Sequence, residues 1–263
     1  MTEVAIVASA FGVEAIRRDG HAAWIDAAAQ SGAAAFEVRR ELMDEASPAA
    51  LRALGAAIAA AGLWPVWSTP DTLYDAHGAL DEAALRDAID CGCLLGARFV
   101  KLQLGGFARD PQIERLNAVL AEAGQAASML RVVVENGQLE AGGSLAQFVA
   151  LFRALSQSRG HGEPHEPRTP IGMTFDIGNW QWPGEPPLLA AAALAPHVEY
   201  IHCKAVAGEG ARRYAAAPAA DDPLCRAVLA LLPPHVPRGI EFPFDPARPG
   251  ADAARYVAWL AGA

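Results

Sequence analysis

Short, apolar, β-type runs alternate with longer Ala- and Leu-rich amphipathic runs from one end of the chain to the other. A period of two followed by a helical period, repeated, predicts a parallel sheet whose strands are joined by crossover helices. Eight such pairs can be counted. The predicted strands are EVAIVA (3–8), AAFEVR (34–39), LWPVWS (63–68), RFVKLQ (98–103), RVVVEN (131–136), IGMTFDI (171–177), VEYIHCK (198–204) and RGIEFP (238–243). Turn signals such as STPDTLYDAHG and GGFARDPQ separate strand from helix, and Gly closes helices in QSGA and AAGLW. Eight βα units close into a single (β/α)8 TIM barrel spanning 1–263, with function expected at the C-terminal ends of the strands. A doubly wound sheet is the alternative. It is weakened by a first βα turn, ASAFGVEAIRRDG, without G-x-G-x-x-G, and by the absence of a phosphate-binding G-x-x-x-x-G-K-[ST]. The polar stretch 156–170 joins the fifth helix to the sixth strand on the opposite face, so His161 and His165 read as solvated loop residues.

The polar interruptions of these strands carry the chemistry. In VEYIHCKAV, His202 and Lys204 break an otherwise buried run, and a buried charge without a partner is strongly disfavoured. Alternate residues share a face, so both point into the barrel mouth with Tyr200 one layer deeper. Neighbouring strands end in the same way: Glu135 in RVVVEN, Asp176 in MTFDI and Glu241 in RGIEFP. Three carboxylates converging on one mouth repel one another unless a cation lies between them. Three carboxylates and one imidazole form a hard, oxygen-rich set, which favours one divalent ion, Mn²⁺ or Mg²⁺, with Co²⁺ or Zn²⁺ as further options. Glu37, Arg39, Lys101 and Gln103 are further inward candidates for substrate contact, with a Glu37–Lys101 ion pair as the plain reading of that pair and a rim salt bridge as the plain reading of Lys204; Trp67, Trp180 and Trp182 are candidates for the pocket wall or for simple packing.

Composition narrows the function. A net charge of −9 and a pI near 5.2 argue against a nucleic-acid partner, which requires a basic face. No apolar run approaches the roughly 18 residues of a membrane span, and MTEVAIVASAFG shows no basic region or long apolar segment before a cleavage site. The four cysteines form no C-x-x-C pair, and Cys91 and Cys93 read as small apolar residues near a helix end. A reduced, cytoplasmic protein is expected. Of the 21 basic residues only Lys101 and Lys204 are lysine, and both stand at the ends of predicted strands.

From GAAAFEVRRE through RFVKLQLGG, VVVENG, FDIGNW and HCK to GIEF, nearly the whole chain resembles the xylose isomerase-like TIM-barrel superfamily of sugar isomerases and epimerases, including ketose 3-epimerases and hydroxypyruvate isomerases. The resemblance maps a Glu, Asp, His, Glu metal pattern onto Glu135, Asp176, His202 and Glu241. It implies that Glu135 and Glu241 face opposite sides of a ketose or keto sugar acid, moving its proton as base and acid through an enediolate. It also implies a carbohydrate substrate and, as in many members, a homo-oligomer. The chain departs from the pattern in three places. Asn179 stands near where the epimerases usually carry His, Ala205 stands where many relatives have Asp, and the segment after the seventh strand lacks their Gly-rich pattern. Asn179 joins Lys204 and Arg39 among the candidate substrate contacts.

Other readings of the same fold remain. A metal-dependent dehydratase acting on a keto-inositol or dehydroshikimate shares the site. A repair endonuclease would need a His-rich zinc cluster and a basic face, and a sugar-binding barrel without turnover would not need paired glutamates. Arg39, Lys101 and Lys204 add three cations to one mouth, which favours a substrate bringing its own negative charge.

Overall fold

The computed structural model describes residues 1–107, 110–123, 130–158 and 169–263. Strand β1 (Val4–Val7) is followed by two short helices, α1 (Val13–Asp19) and α2 (Ile25–Gln30). The next units are β2 (Ala35–Arg39) with α3 (Pro48–Ala60), β3 (Trp64–Thr72) with α4 (Glu82–Leu95), and β4 (Phe99–Gln103) with α5 (Ile113–Ala123). They continue with β5 (Arg131–Glu135) and α6 (Leu145–Gln157), then β6 (Gly172–Asp176) and α7 (Pro187–Leu194). After β7 (Val198–Cys203) a small hairpin, β8 (Ala205–Ala207) and β9 (Tyr214–Ala216), precedes α8 (Pro223–Leu231). The chain closes with β10 (Arg238–Ile240) and α9 (Pro249–Gly262).

Eight parallel strands close in the order β1-β10-β7-β6-β5-β4-β3-β2, which is the single (β/α)8 TIM barrel that the alternation predicts. Local chemistry starts the helices where the sequence suggests. Ser47, Asp81 and Asp222 accept N–H groups of the first turns of α3, α4 and α8, and Pro occupies the first turn of α3 and α8. Among the described residues no helix is long and apolar enough to cross a membrane. Cys91 and Cys93 lie in the last turns of α4, and His161 and His165 lie outside the described residues.

Alternation along each strand sorts side chains between two cores. The outward residues pack against the helices in the main apolar cluster. Inside the barrel Ala5, Ala35, Val66, Phe99, Val133 and Tyr200 form an apolar layer, with Phe99 stacked on Tyr200 at 5.7 Å. Two residues further along the strands the interior turns polar, and that layer holds the site.

Most strands are a residue shorter than the pattern at one or both ends, and three departures from it are larger. β3 extends to Thr72 because, after an irregularity past Ser68, it rejoins β4 at Thr72 and Gln103. β10 stops at Ile240, so Glu241 stands just beyond the strand, with its N–H on the Cys203 carbonyl at 3.3 Å. Pro243 has no N–H with which to continue the ladder. The β8–β9 hairpin pairs Ala207 with Tyr214 across its turn, in a segment whose Ala-rich sequence shows little strand character.

Candidate metal centre and active site

The site is built on four adjacent strand ends. Glu135 closes β5, Asp176 closes β6, His202 lies near the end of β7, and Glu241 follows β10. One donor atom from each lies within 4.8 Å of the others. His202 Nδ1 is 2.7 Å from Glu135 Oε1, 3.2 Å from Glu241 Oε2 and 3.8 Å from Asp176 Oδ2. The structure thus gathers the four residues expected to hold a metal.

Close backbone approach makes the cluster possible. A Cβ at Gly239, which pairs with His202 across the sheet, would come within 2.5 Å of the Tyr200 hydroxyl and 2.8 Å of the His202 ring. A Cβ at Gly178 would lie 2.7 Å from Lys204 Cγ. The two glycines leave room for the imidazole and for the lysine stem.

Asparagines brace Asp176. The Asp176 N–H donates to Asn136 Oδ1 at 2.8 Å, and Asn136 Nδ2 donates to the Asp176 carbonyl at 3.0 Å. The Asn179 N–H donates to Asp176 Oδ1 at 2.8 Å, which leaves Oδ2 facing the cluster. Asn136, fully buried, was not among the sequence candidates. Its signal was available, as a second polar residue directly after Glu135 at the end of an apolar strand. Asn179 lines the cavity but spends its amide on the Asn136 carbonyl at 2.8 Å, so its bonds support Asp176.

The cations are all engaged. Lys204 Nζ bridges Asp176 Oδ2 at 2.7 Å and Glu241 Oε2 at 2.6 Å. Lys101 Nζ lies 2.6 Å from Glu135 Oε2 and 3.6 Å from Glu37 Oε1, and Gln103 Nε2 donates to the same Glu135 oxygen at 2.5 Å. Arg39 Nη1 donates to Glu241 Oε1 at 2.7 Å while its other nitrogens hold Glu41.

These contacts set the protonation of the site. Burial works against the charged forms of Glu135 and Glu241, but Lys101 and Lys204 respectively, with His202, more than offset it and hold both well below the usual carboxylate range. Asp176 is pushed up to about 8 by burial and by the charges of Glu241 and Glu135, against the pull of Lys204. Burial disfavours a charged His202, yet Glu37 and Glu241 raise its pKa well above the ordinary value. These shifts favour a proton on Asp176 and on His202, which a cation bound between the carboxylates would displace.

Donor chemistry fits a divalent ion. Glu135 Oε1, Asp176 Oδ2 and His202 Nδ1 are buried without a well-directed hydrogen bond, and they are the atoms that face one another. Asp176 Oδ2 has the Lys204 ion pair, while Glu135 Oε1 and His202 Nδ1 lie closest to each other, and a hard cation with oxygen and imidazole donors would satisfy all three.

A cavity of about 340 Å³ opens above the cluster, lined by Arg39, Gln103, Glu135, Asn179, Lys204 and Glu241 among others. Three expected substrate contacts do not border it. Glu37 and Lys101 are 0% and 1% exposed, a layer below the mouth, because their carboxylate and ammonium turn toward His202 and Glu135. Trp67 alternates with the inward Val66 and packs outward against the helices, as part of the main apolar cluster. Trp180 likewise packs on Phe148 and Phe175 and does not wall the cavity. A larger cavity of about 650 Å³ at the opposite end contains Arg98 and Arg131, which are held by Glu3 and Glu199.

No protein-family model matches the sequence, and no curated protein matches it. Solved structures do match. A D-psicose 3-epimerase crystallised in the presence of D-fructose superposes with a TM-score of 0.68 at 14% identity, covering 100% of both chains. AsbF of Bacillus anthracis, a probable 3-DHS dehydratase involved in petrobactin synthesis, gives 0.66 at 12% identity over 98% of each chain. The IOLI protein with a bound zinc atom gives 0.63 at 11% identity, over 98% of this chain and 95% of that one. Others carry the description of xylose isomerase-like or xylose isomerase domain proteins. Along its whole length, then, the chain has the fold of the xylose isomerase-like TIM-barrel proteins.

Proposed function

We propose that the protein is a divalent-metal-dependent isomerase or epimerase acting on a ketose or keto sugar acid by proton transfer through an enediolate. The observation that carries this reading is the convergence of Glu135, Asp176, His202 and Glu241, within 4.8 Å, at the floor of a cavity at the C-terminal mouth of the barrel. Those four residues would hold the ion, with Mn²⁺ or Mg²⁺ favoured by the three carboxylates. When bound, the ion supplies electrophilic stabilisation of the charge that develops on the substrate's carbonyl oxygen.

The protein's own groups supply the rest. β6 and β7 separate β5 from β10 in the closed sheet, so Glu135 and Glu241 approach a molecule in the mouth from different sides. One carboxylate removes the proton next to the carbonyl and the other returns one from the opposite face, which inverts that carbon. Return to the neighbouring carbon gives isomerisation instead. Lys204, which lines the cavity beside Glu241, is placed to donate to a substrate oxygen, and Arg39 holds the outer oxygen of Glu241. A low pKa suits the glutamate that abstracts the proton to its ionised, accepting form, and the one that returns a proton must first have taken one up from solvent through the open cavity.

The cations at the cavity support the acid among the two substrate classes. Four carboxylates of the site (Glu37, Glu135, Asp176, Glu241) and Glu41, which Arg39 also holds, stand against three cations (Arg39, Lys101, Lys204). With a divalent ion and neutral His202 these charges balance, so the preference rests on Arg39 and Lys204 bordering the cavity, where each can make a charge-assisted contact to a substrate carboxylate.

Incubation of the Mn²⁺-loaded protein in D₂O, with keto sugar acids beside their neutral ketose counterparts, tests the reading. Deuterium should enter at a carbon adjacent to the carbonyl, with kcat/KM about tenfold or more in favour of the acid. Water loss yielding an ultraviolet-absorbing enone would assign the dehydratase reaction instead. Absence of exchange from every substrate would end the isomerase reading.

A further inference from the structure

His202 is the one nitrogen donor of the cluster, and only one of its ring nitrogens faces the other ligands. The other, Nε2, points deeper into the barrel to Glu37 Oε2 at 2.8 Å. Tyr200 donates its hydroxyl to that same oxygen at 2.9 Å. Glu37, Tyr200 and His202 are each fully buried. Lys101, shared between Glu37 and Glu135, balances the charge that Glu37 brings into this layer. Glu37 does not line the cavity and is not one of the four clustered residues.

We propose that Glu37 is a positioning residue of the metal centre. It accepts the proton-bearing Nε2 of His202, so the neutral imidazole is held as the Nε2–H tautomer with the Nδ1 lone pair directed at the cation. This rests on the metal-dependent reading above. Two features make the assignment specific. Nδ1 is the nitrogen nearest the ligand carboxylates, at 2.7 Å from Glu135 Oε1, and it has no well-directed hydrogen bond. Ring rotation is also restricted, because Tyr200 packs edge-on against the imidazole at 4.9 Å and the missing side chain of Gly239 leaves only the space that the ring occupies. An imidazole that had to select tautomer and orientation on each binding event would give weaker metal affinity.

The test compares the wild type, Glu37→Leu and Glu37→Gln for Mn²⁺ affinity by chelator competition, with circular dichroism to verify folding. Leucine removes the acceptor and should weaken affinity about 10- to 100-fold. Glutamine keeps an acceptor oxygen without the charge and should recover most of that loss. If Glu37 served only as an ion-pair partner of Lys101, glutamine would be as damaging as leucine. Equal effects of the two variants, or a folded Glu37→Leu protein with wild-type affinity, would overturn the proposal while leaving the metal reading intact. A wild type that takes up no divalent ion would overturn both. Should the leucine variant not fold, the imidazole ¹⁵N spectrum of the Zn²⁺-loaded wild type decides. His202 protonated at Nε2 supports the assignment, and a proton on Nδ1 refutes it.

Discussion

Replacing Glu135 or Glu241 by glutamine should lower turnover by at least about a thousandfold while leaving the barrel folded. Glutamine conserves shape, so the backbone and the neighbouring Lys101, Gln103, Arg39 and Lys204 keep their places around the changed side chain. What disappears is the charge that accepts a proton. Each glutamate is also placed to ligate the ion, so metal content must be measured on the same samples that are assayed. A variant that retains its metal but not its activity isolates the proton-transfer role, and one that loses both shows the ligand role. Near-normal activity in either variant would remove the two-glutamate chemistry altogether.

A second large effect is expected at Lys101, and it is on stability. The ammonium is 1% exposed and lies between two buried carboxylates, Glu135 at 2.6 Å and Glu37 at 3.6 Å. Lys101→Met keeps much of the volume but removes the ammonium from both carboxylates and leaves His202 as their remaining ion-pair partner. Removing one partner from a buried ion pair costs about 3 to 5 kcal/mol, because the remaining charge stays desolvated. Urea denaturation should show that loss in metal-free protein. Added Mn²⁺ should restore part of it, since the ion would neutralise Glu135 from the other side. An unchanged unfolding free energy with a raised KM would place Lys101 at the substrate after all.

That expectation at Lys101 marks where sequence reading reached its limit. Period-two alternation identifies which residues share the barrel interior, and it brought Glu37, Lys101, Gln103, Glu135, Asp176 and His202 to the inside. It does not give depth. Whether an inward lysine meets substrate or a carboxylate below the mouth depends on strand stagger, and the register that aligns Gln103 with Glu135 puts Lys101 a layer lower. Trp67 failed on parity, because Val66 and Ser68 take the inward positions on either side of it. The β8–β9 hairpin was illegible for a different reason. Its short strands are largely alanine, with weak strand preference, and they are set by pairing across a turn. The unusual placement of lysine was informative in a way that composition alone could not resolve, since both lysines lie against the carboxylates of the cluster.

The central claim is that Glu135, Asp176, His202 and Glu241 hold one divalent ion. Anomalous diffraction from crystals soaked in Mn²⁺ tests it most directly. One peak per chain is expected, within about 2.0 to 2.6 Å of a donor atom from each of the four residues, with the Lys204 ammonium withdrawn from its bridge between Asp176 and Glu241. No peak at that point in Mn²⁺-saturated crystals, with Lys204 still spanning the two carboxylates, would show that the cluster is a self-neutralised ion-pair network and would contradict the account.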